Sequence, residues 1–134
     1  MDLSKNHFDV IVIGSGPGGE GASIKLAKAG KSVAVIESHS LGGSSTHMGT
    51  IPSKTLIHVV RQYSEERKSR LFNRVHQPVK VTAAALMVAV KDVVDQQVKD
   101  RAGFYERNDV ELIEGYACFV DPQGIEVTDR SGSL

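Results

Sequence analysis

The stretch from Phe8 to Glu37 constrains the fold more than any other part of the chain. It contains an apolar β-branched run, a glycine-rich turn, a helix-like segment and a second apolar run that ends in an acid. The first run, Val10 to Ile13, is typical of a parallel strand that is buried on both faces. This order of elements predicts a βαβ unit in an α/β, Rossmann-like fold with a parallel sheet.

The glycines of the turn are spaced as G-x-G-x-x-G, at Gly14, Gly16 and Gly19. The first glycine allows a tight turn, the second lets a pyrophosphate approach the backbone, and the third lets the helix pack closely on the strand. The helix that follows presents free N–H groups and a partial positive charge to phosphates. A purely structural glycine turn is the alternative. The candidate pyrophosphate site is the whole turn: Gly14, Ser15, Gly16, Pro17, Gly18 and Gly19.

The second apolar run ends at Glu37, followed by Ser38. A carboxylate about 20 residues after the glycine turn is placed to accept hydrogen bonds from ribose hydroxyls. The same carboxylate repels a 2′-phosphate, so these residues favour FAD or NAD over NADP. Together with the glycine turn, Glu37 and Ser38 predict a dinucleotide site.

Composition excludes several other classes of protein. A chain of 134 residues is of single-domain size, and a formal net charge of zero gives no field to attract nucleic acid or an anionic membrane. No apolar run approaches the roughly 20 residues of a membrane span, and the short polar start is no signal peptide, so we expect a cytoplasmic protein.

The scattered histidines predict no metal site. The single Cys118 excludes an internal disulfide, and we interpret it as a small buried residue.

The rest of the chain alternates between loops, helices and short strands. Residues 39–50 are rich in glycine and hydroxyls and read as a loop. Helices are predicted from Ile51 to about Lys68 and, after a Thr82 cap, from about Ala83 to Arg107. Short strands are predicted over 110–113, 116–120 and 125–128, and residues 69–78 read as an exposed connection. A stripe on the longer helix is predicted to pack in the core: Leu86, Val90, Val93, Val94, Val98 and Ala102.

Four segments read together resemble the FAD-binding N-terminus of the pyridine nucleotide–disulfide oxidoreductases, which include lipoamide dehydrogenase, glutathione reductase and mercuric reductase. The resemblance covers essentially the whole chain. It implies a Rossmann-like FAD-binding domain, incomplete within 1–134, with inserted helices and a small β element. The segments are Gly14–Gly19, Gly42–Gly43, Gly49-Thr50-Ile51-Pro52-Ser53-Lys54 and Gly115–Phe119.

One branch of the family, the soluble pyridine nucleotide transhydrogenases, is the most similar, on the segments 16–22, 46–54 and 103–108. Disulfide reductases of the family carry two cysteines just before Ile-Pro-Ser-Lys, where this chain has Ser45 and Thr50. Thr50 matches the transhydrogenase branch, whereas Ser45 replaces a cysteine that the branch usually retains. A hydroxyl forms no disulfide, so a dithiol relay is absent and no catalytic residue is assigned.

The resemblance implies roles for individual residues. Gly14–Gly19 would hold the FAD pyrophosphate, and Glu37 the adenosine ribose. Gly43 and Ser44 would contact the phosphate and ribityl region, and Thr50 would lie beside the isoalloxazine. Lys54 would approach the flavin N5 side, where a positive charge favours anionic reduced flavin. The backbone at Ala117 would meet the adenine edge.

The implied activity is hydride transfer between NADPH and NAD⁺ through FAD, with NAD(P) as substrate of a full-length homo-oligomer. Members of the family are several hundred residues long, so we expect this chain to be a fragment that is inactive alone. Three alternatives remain: a non-catalytic dinucleotide-binding module, a degenerate remnant, or a relative of dihydrolipoamide dehydrogenase that lacks the redox disulfide.

Overall fold

The structure, a computed structural model, describes residues 7–70, 74 and 80–129. Three parallel strands form its main sheet: β1 (Val10–Ile13), β2 (Val33–Glu37) and β3 (Val110–Glu114). They are arranged in the order β1-β2-β3, with Val35 of β2 beside Val12 on one side and Leu112 on the other. The predicted α/β fold with a parallel sheet is confirmed.

The strand buried most completely is β2, not β1. Val33 to Ile36 are each at most 2% exposed, whereas Ile13 of β1 is 52% exposed. The expectation that Val10 to Ile13 are buried on both faces is therefore wrong for the described residues. The physical reason is position in the sheet: β2 lies between two strands, and in the described part of the chain β1 has a neighbouring strand on one side only.

Four helices have described bounds: α1 (Pro17–Lys28), α2 (Gly43–His47), α3 (Thr50–Lys68) and α4 (Ala83–Arg107). The last three are inserted between β2 and β3, where α3 and α4 were expected and α2 was not. The predicted cap is also confirmed, because Ala85 N–H donates to Thr82 Oγ1 at 3.2 Å. None of the helices in the described part of the chain is long and apolar enough to cross a membrane.

The prediction of a loop over 39–50 is wrong in part, because α2 forms within it. Gly42, with a φ of 95°, precedes this helix, and the hydroxyl of Thr46 donates to Gly42 O at 3.0 Å. Thr46 is fully buried. A five-residue helix is too short to show a periodic apolar pattern, and its burial depends on the elements around it.

The core lies between the sheet and the helices. Its buried residues are Ile24, Val33, Val35, Tyr105 and Val110. The predicted core stripe of α4 is only partly correct: Val90 is buried, whereas Val93 is 39% exposed and Ala102 is exposed. A helix of 25 residues is about 38 Å long, about twice the length of these strands, so the sheet covers only part of it.

A two-stranded antiparallel hairpin follows the sheet, formed by β4 (Tyr116–Asp121) and β5 (Gly124–Thr128). This is the predicted small β element. Its Cys118 is exposed, so the interpretation of Cys118 as buried is wrong. The neighbouring Phe119 and Val120 are also exposed, at 74% and 61%. In the described residues, the hairpin has no layer packed over this part of β4 that would bury the thiol.

We expect Cys118 to react with a thiol reagent while the protein is folded. Alkylation by iodoacetamide at slightly alkaline pH should proceed at a rate close to that of the urea-unfolded chain, because exposure leaves the thiolate accessible. Mass spectrometry after quenching measures the labelled fraction, with Cys118→Ser as the unlabelled control. A thiol that reacts only after urea is added would contradict the exposed placement.

Candidate functional site

The glycine turn and Glu37 lie at the same edge of the sheet. Gly14 directly follows β1 and Glu37 ends β2, so the parallel pairing of the two strands brings them together. The turn is joined to β2 by Gly14 N–H, which donates to Ile36 O at 2.8 Å. Ligands of open α/β sheets bind outside this carboxyl edge, and these residues form the candidate site.

Two glycines of the turn have the structural roles that the spacing predicts. Gly14 has a φ of 93°, a left-handed conformation that glycine adopts without steric cost. At Gly19 the limit is space, because a Cβ there would lie 2.0 Å from Gly14 O and 3.2 Å from Val12 Cγ1. The predicted tight turn and the close packing of α1 on the strand are both confirmed.

The start of α1 remains open to a ligand. A Cβ built at Gly16 or Gly18 would meet no atom of the described residues within 4 Å. Gly16 is the N-cap residue and provides no side-chain hydrogen bond to the helix, and Pro17 follows it. The first N–H groups of a helix have no intrahelical partner, and they carry a partial positive charge. An anion therefore has both access and favourable electrostatics at this point.

Glu37 is held by hydrogen bonds from the glycine turn and from the residue after β2. Ser15 donates to Glu37 Oε2 from its backbone N–H at 2.9 Å and from its hydroxyl at 2.5 Å. His39 N–H donates to Glu37 Oε1 at 2.9 Å. Burial by itself would raise the pKa of Glu37, but the hydrogen bonds from Ser15 and His39 outweigh it and lower the pKa below its usual value. The carboxylate is thus ionised at neutral pH and fixed in orientation.

A second pair of glycines packs against the first turn. Gly42 N–H donates to Ser15 Oγ at 2.9 Å, so this buried hydroxyl links the second loop to Glu37. Gly43 has a φ of 61°, and a Cβ there would lie 3.0 Å from Gly16 Cα. The chain segment that starts α2 therefore lies directly beside the open start of α1.

The structure also shows the surroundings of the other predicted site residues. Ser44, Thr50 and Lys54 are exposed, Ser44 on α2 and the other two in the first turns of α3. Ser38 Oγ lies 2.8 Å from His39 Nδ1.

The end of β3 and the start of β4 also lie close to Glu37. Gly115 N–H donates to Glu37 O at 3.0 Å, and the His39 ring meets the Tyr116 ring edge-on at 5.7 Å. These contacts place the segment before Ala117 beside the acid that ends β2. Ala117 itself is half-buried on β4.

Sequence reasoning missed an ion pair next to the glycine turn. Arg101 Nε of α4 donates to Glu20 Oε2 in the first turn of α1 at 2.9 Å. The sequence shows Glu20 only as an acid at a helix start, and the two residues are 81 positions apart. No spacing rule relates such distant positions, so the sequence carries no signal for this contact.

The arrangement offers open N–H groups at the start of α1 and an oriented carboxylate at Glu37, the two features that a site for a phosphate-containing dinucleotide requires. It offers no dithiol, because Ser45 in α2 and Thr50 at the start of α3 carry hydroxyls. Redox chemistry at this site would therefore have to come from a bound cofactor.

Comparison with known proteins gives consistent matches. The sequence profile of the pyridine nucleotide–disulphide oxidoreductases matches residues 8–131. The soluble pyridine nucleotide transhydrogenase of Vibrio cholerae is 48% identical over 131 residues, which are 97% of this chain and 28% of that protein. The same-named protein of Vibrio vulnificus is 49% identical over 129 residues, which are 96% of this chain and 28% of that protein.

A solved structure is also similar, the Cu(II) complex of the HOCl-induced flavoprotein disulfide reductase RclA from Escherichia coli. The TM-score is 0.74 at 25% identity, over 97% of this chain and 26% of that one. The chain thus spans about 28% of the length of the curated relatives it matches. With a family profile that matches nearly all of its residues, this chain belongs to the pyridine nucleotide–disulphide oxidoreductase family.

Proposed function

We propose that residues 1–134 form the N-terminal portion of an FAD-binding domain in a flavoprotein oxidoreductase that transfers hydride between NADPH and NAD⁺. One observation carries the proposal: the Ser15 hydroxyl joins Glu37 and the loop at Gly42, beside the uncapped start of α1. A phosphate position and a ribose position are thereby held in one fixed unit. The curated relatives named above are transhydrogenases, which supports the proposed activity.

The described residues fit FAD. Gly16 and Gly18 leave space for a pyrophosphate, and the ionised Glu37 retains lone pairs for ribose hydroxyls after accepting its internal hydrogen bonds. A 2′-phosphate at that point would face a fixed negative charge, which favours FAD over NADP. Further contacts are proposed for Ser38, Gly43, Ser44, Thr50, Lys54 and the backbone of Ala117.

The proposed reaction follows from the residues at positions 45 and 50, which are serine and threonine and not cysteines. A bound flavin supplies hydride transfer with nicotinamide dinucleotides. Ser45 and Thr50 replace the residues that would pass electrons on to a disulfide, so the protein retains electron transfer between nicotinamides. The exposed Lys54 ammonium would place a positive charge near the reduced cofactor. We further propose a cytoplasmic, homo-oligomeric whole protein whose other regions bind the nicotinamide dinucleotides.

Binding of FAD by the purified chain tests the proposal. We expect the chain, stripped of ligand and then incubated with FAD, to retain flavin absorbance after gel filtration and to quench FAD fluorescence in a saturable titration. NADP⁺ should compete with FAD at least tenfold more weakly than ADP-ribose does, because the charge of Glu37 repels a 2′-phosphate. A chain that retains no flavin, or that prefers NADP⁺, would contradict the assignment of this site.

A second candidate function is a dinucleotide-binding module without turnover, which the absence of cysteines at positions 45 and 50 also allows. A protein extended to the length of the relatives distinguishes the two. Reduction of thio-NAD⁺ by NADPH supports the transhydrogenase proposal, whereas bound flavin without turnover supports the binding module. Reduction of lipoamide would instead indicate a dihydrolipoamide dehydrogenase-like protein.

A further inference from the structure

We propose that Arg101 is a positioning residue for the bound dinucleotide, because it neutralises Glu20 beside the start of α1. In this arrangement the diphosphate binds next to a neutral ion pair instead of an isolated carboxylate. The inference rests on the proposed function, since it concerns the FAD pyrophosphate.

The ion pair is well oriented and partly buried. Arg101 Nε and Glu20 Oε2 are 2.9 Å apart, and the two side chains are only 18% and 26% exposed. A second nitrogen of the guanidinium, Nη1, donates to Gln97 O at 3.2 Å and to Gln97 Oε1 at 3.0 Å. The Arg101 side chain is therefore held in place from its own helix. Charges in such a partly desolvated position interact more strongly than a pair in open solvent.

Arg101 also lies beside the second glycine loop. Its Cδ lies 3.1 Å from the position that a Cβ on Gly42 would occupy. Gly42 N–H donates to the Ser15 hydroxyl, which in turn donates to Glu37. One side chain of α4 therefore binds the first turn of α1 and lies beside the loop that packs next to Gly16.

The position of Glu20 explains why its charge matters. Glu20 directly follows Gly19, and its N–H donates to Gly16 O at 2.9 Å. A carboxylate in the first turn of a helix is attracted to the same positive end that attracts a diphosphate. Without Arg101, the two anions would compete for that end and repel each other. The ion pair lies in a groove that is also lined by Asp100 and Arg107. Their charges are of opposite sign, so they add no net charge beside the pair.

A purely structural role makes different predictions. If the pair serves only to hold α4 on α1, removal of either partner should weaken FAD binding equally, and salt should have little effect on the losses. If the pair acts through charge, loss of the arginine and loss of the glutamate should have different effects on FAD affinity. The isolated carboxylate should weaken binding, whereas an isolated guanidinium should not.

The test measures the FAD dissociation constant of Arg101→Met, Glu20→Gln, the double variant and Arg101→Lys by fluorescence titration. Thermal unfolding of each ligand-free chain reports stability separately. Lys91→Gln is the matched control, because Lys91 forms an exposed ion pair with Asp95 on the same helix. Titrations run at low ionic strength and at 1 M salt, where the screening length is about 3 Å.

We expect Arg101→Met to weaken FAD binding about tenfold at low ionic strength, with most of the loss removed at 1 M salt. Glu20→Gln should bind FAD at least as tightly as the unmodified chain. The double variant and Arg101→Lys should recover most of the FAD affinity that Arg101→Met loses. Lys91→Gln should bind FAD as tightly as the unmodified chain.

Two results would overturn the inference while leaving the proposed function intact. In the first, FAD binds the unmodified chain and Arg101→Met equally well. In the second, Glu20→Gln loses as much affinity as Arg101→Met and the double variant recovers nothing, which is the result for a structural clasp. If the unmodified chain retains no FAD, the proposed function fails, and this inference fails with it.

Discussion

Replacing Gly19 with alanine is expected to destabilise the chain by about 3 kcal/mol or more. The new methyl would lie 2.0 Å from Gly14 O and 3.1 Å from Gly14 C. Both are backbone atoms of the tight turn, so they cannot rotate away as a side chain could. The start of α1 would have to move off β1, which would also disturb the proposed phosphate site.

Gly21→Ala is the matched control for this substitution. Gly21 lies in the same helix and is exposed, and a Cβ there would meet no atom of the described residues within 4 Å. Alanine should stabilise the helix at this position by about 0.5–1 kcal/mol. Urea unfolding followed by far-ultraviolet circular dichroism measures both variants. Equal stabilities for Gly19→Ala and Gly21→Ala would show that α1 does not pack on the turn as described.

Changing Glu37 to glutamine is expected to weaken FAD binding about 100-fold and to lower the free energy of unfolding by about 2 kcal/mol. The carboxylate accepts hydrogen bonds from Ser15 N–H and hydroxyl on one oxygen and from His39 N–H on the other. A glutamine amide has one acceptor and one NH₂ group. In either orientation, the NH₂ group therefore faces a backbone N–H that loses its acceptor.

The pH dependence of stability provides a second measurement on Glu37. Its pKa in the folded chain lies below the ordinary value of 4.5, so the ionised form stabilises the fold at neutral pH. This stabilisation is complete above the unfolded-state pKa and is lost as the pH falls through the folded-state pKa. Glu37→Gln should remove that part of the acid dependence.

A separate control is needed because Asp9 also makes the chain less stable as the pH falls. Hydrogen bonds from the Ser32 backbone and hydroxyl lower the pKa of Asp9. The difference between the unfolding curves of the unmodified chain and Glu37→Gln gives the contribution of Glu37 to the acid dependence. Glu111→Gln, which changes an exposed acid on β3, is the matched control. Parallel curves for the unmodified chain and Glu37→Gln between pH 3 and 6, the range around ordinary carboxyl pKa values, would contradict the role of these hydrogen bonds.

The sequence predicted the features that depend on neighbouring residues. The βαβ unit falls within 30 contiguous residues, and its geometry depends on local backbone preferences such as the left-handed Gly14. The bounds of α4 and its Thr82 cap were also predictable, because a cap is a contact between residues three positions apart. The placement of Glu37 beside the glycine turn follows equally from the order of two adjacent parallel strands.

Other features depend on which surfaces meet in the folded chain, and there the sequence was insufficient. The apolar pattern of β1 could not show that Ile13 is half exposed, nor could the composition of β4 show that Cys118 is exposed. Both depend on the number of layers and strands that surround each element. The Ser15 hydroxyl likewise gained its role only when the loop at Gly42, 27 positions away, packed beside the turn.

By itself, therefore, the sequence determined the α/β fold, the glycine turn after β1, the acid at the end of β2 and the absence of a dithiol at positions 45 and 50. These properties depend on residue identity and on short-range spacing. Only the tertiary structure decided that Arg101 neutralises Glu20 and that one serine hydroxyl ties the acid to a second loop. The physical reason is that long-range contacts arise from the packing of α4 and α2 against the sheet, and short-range spacing does not encode that packing.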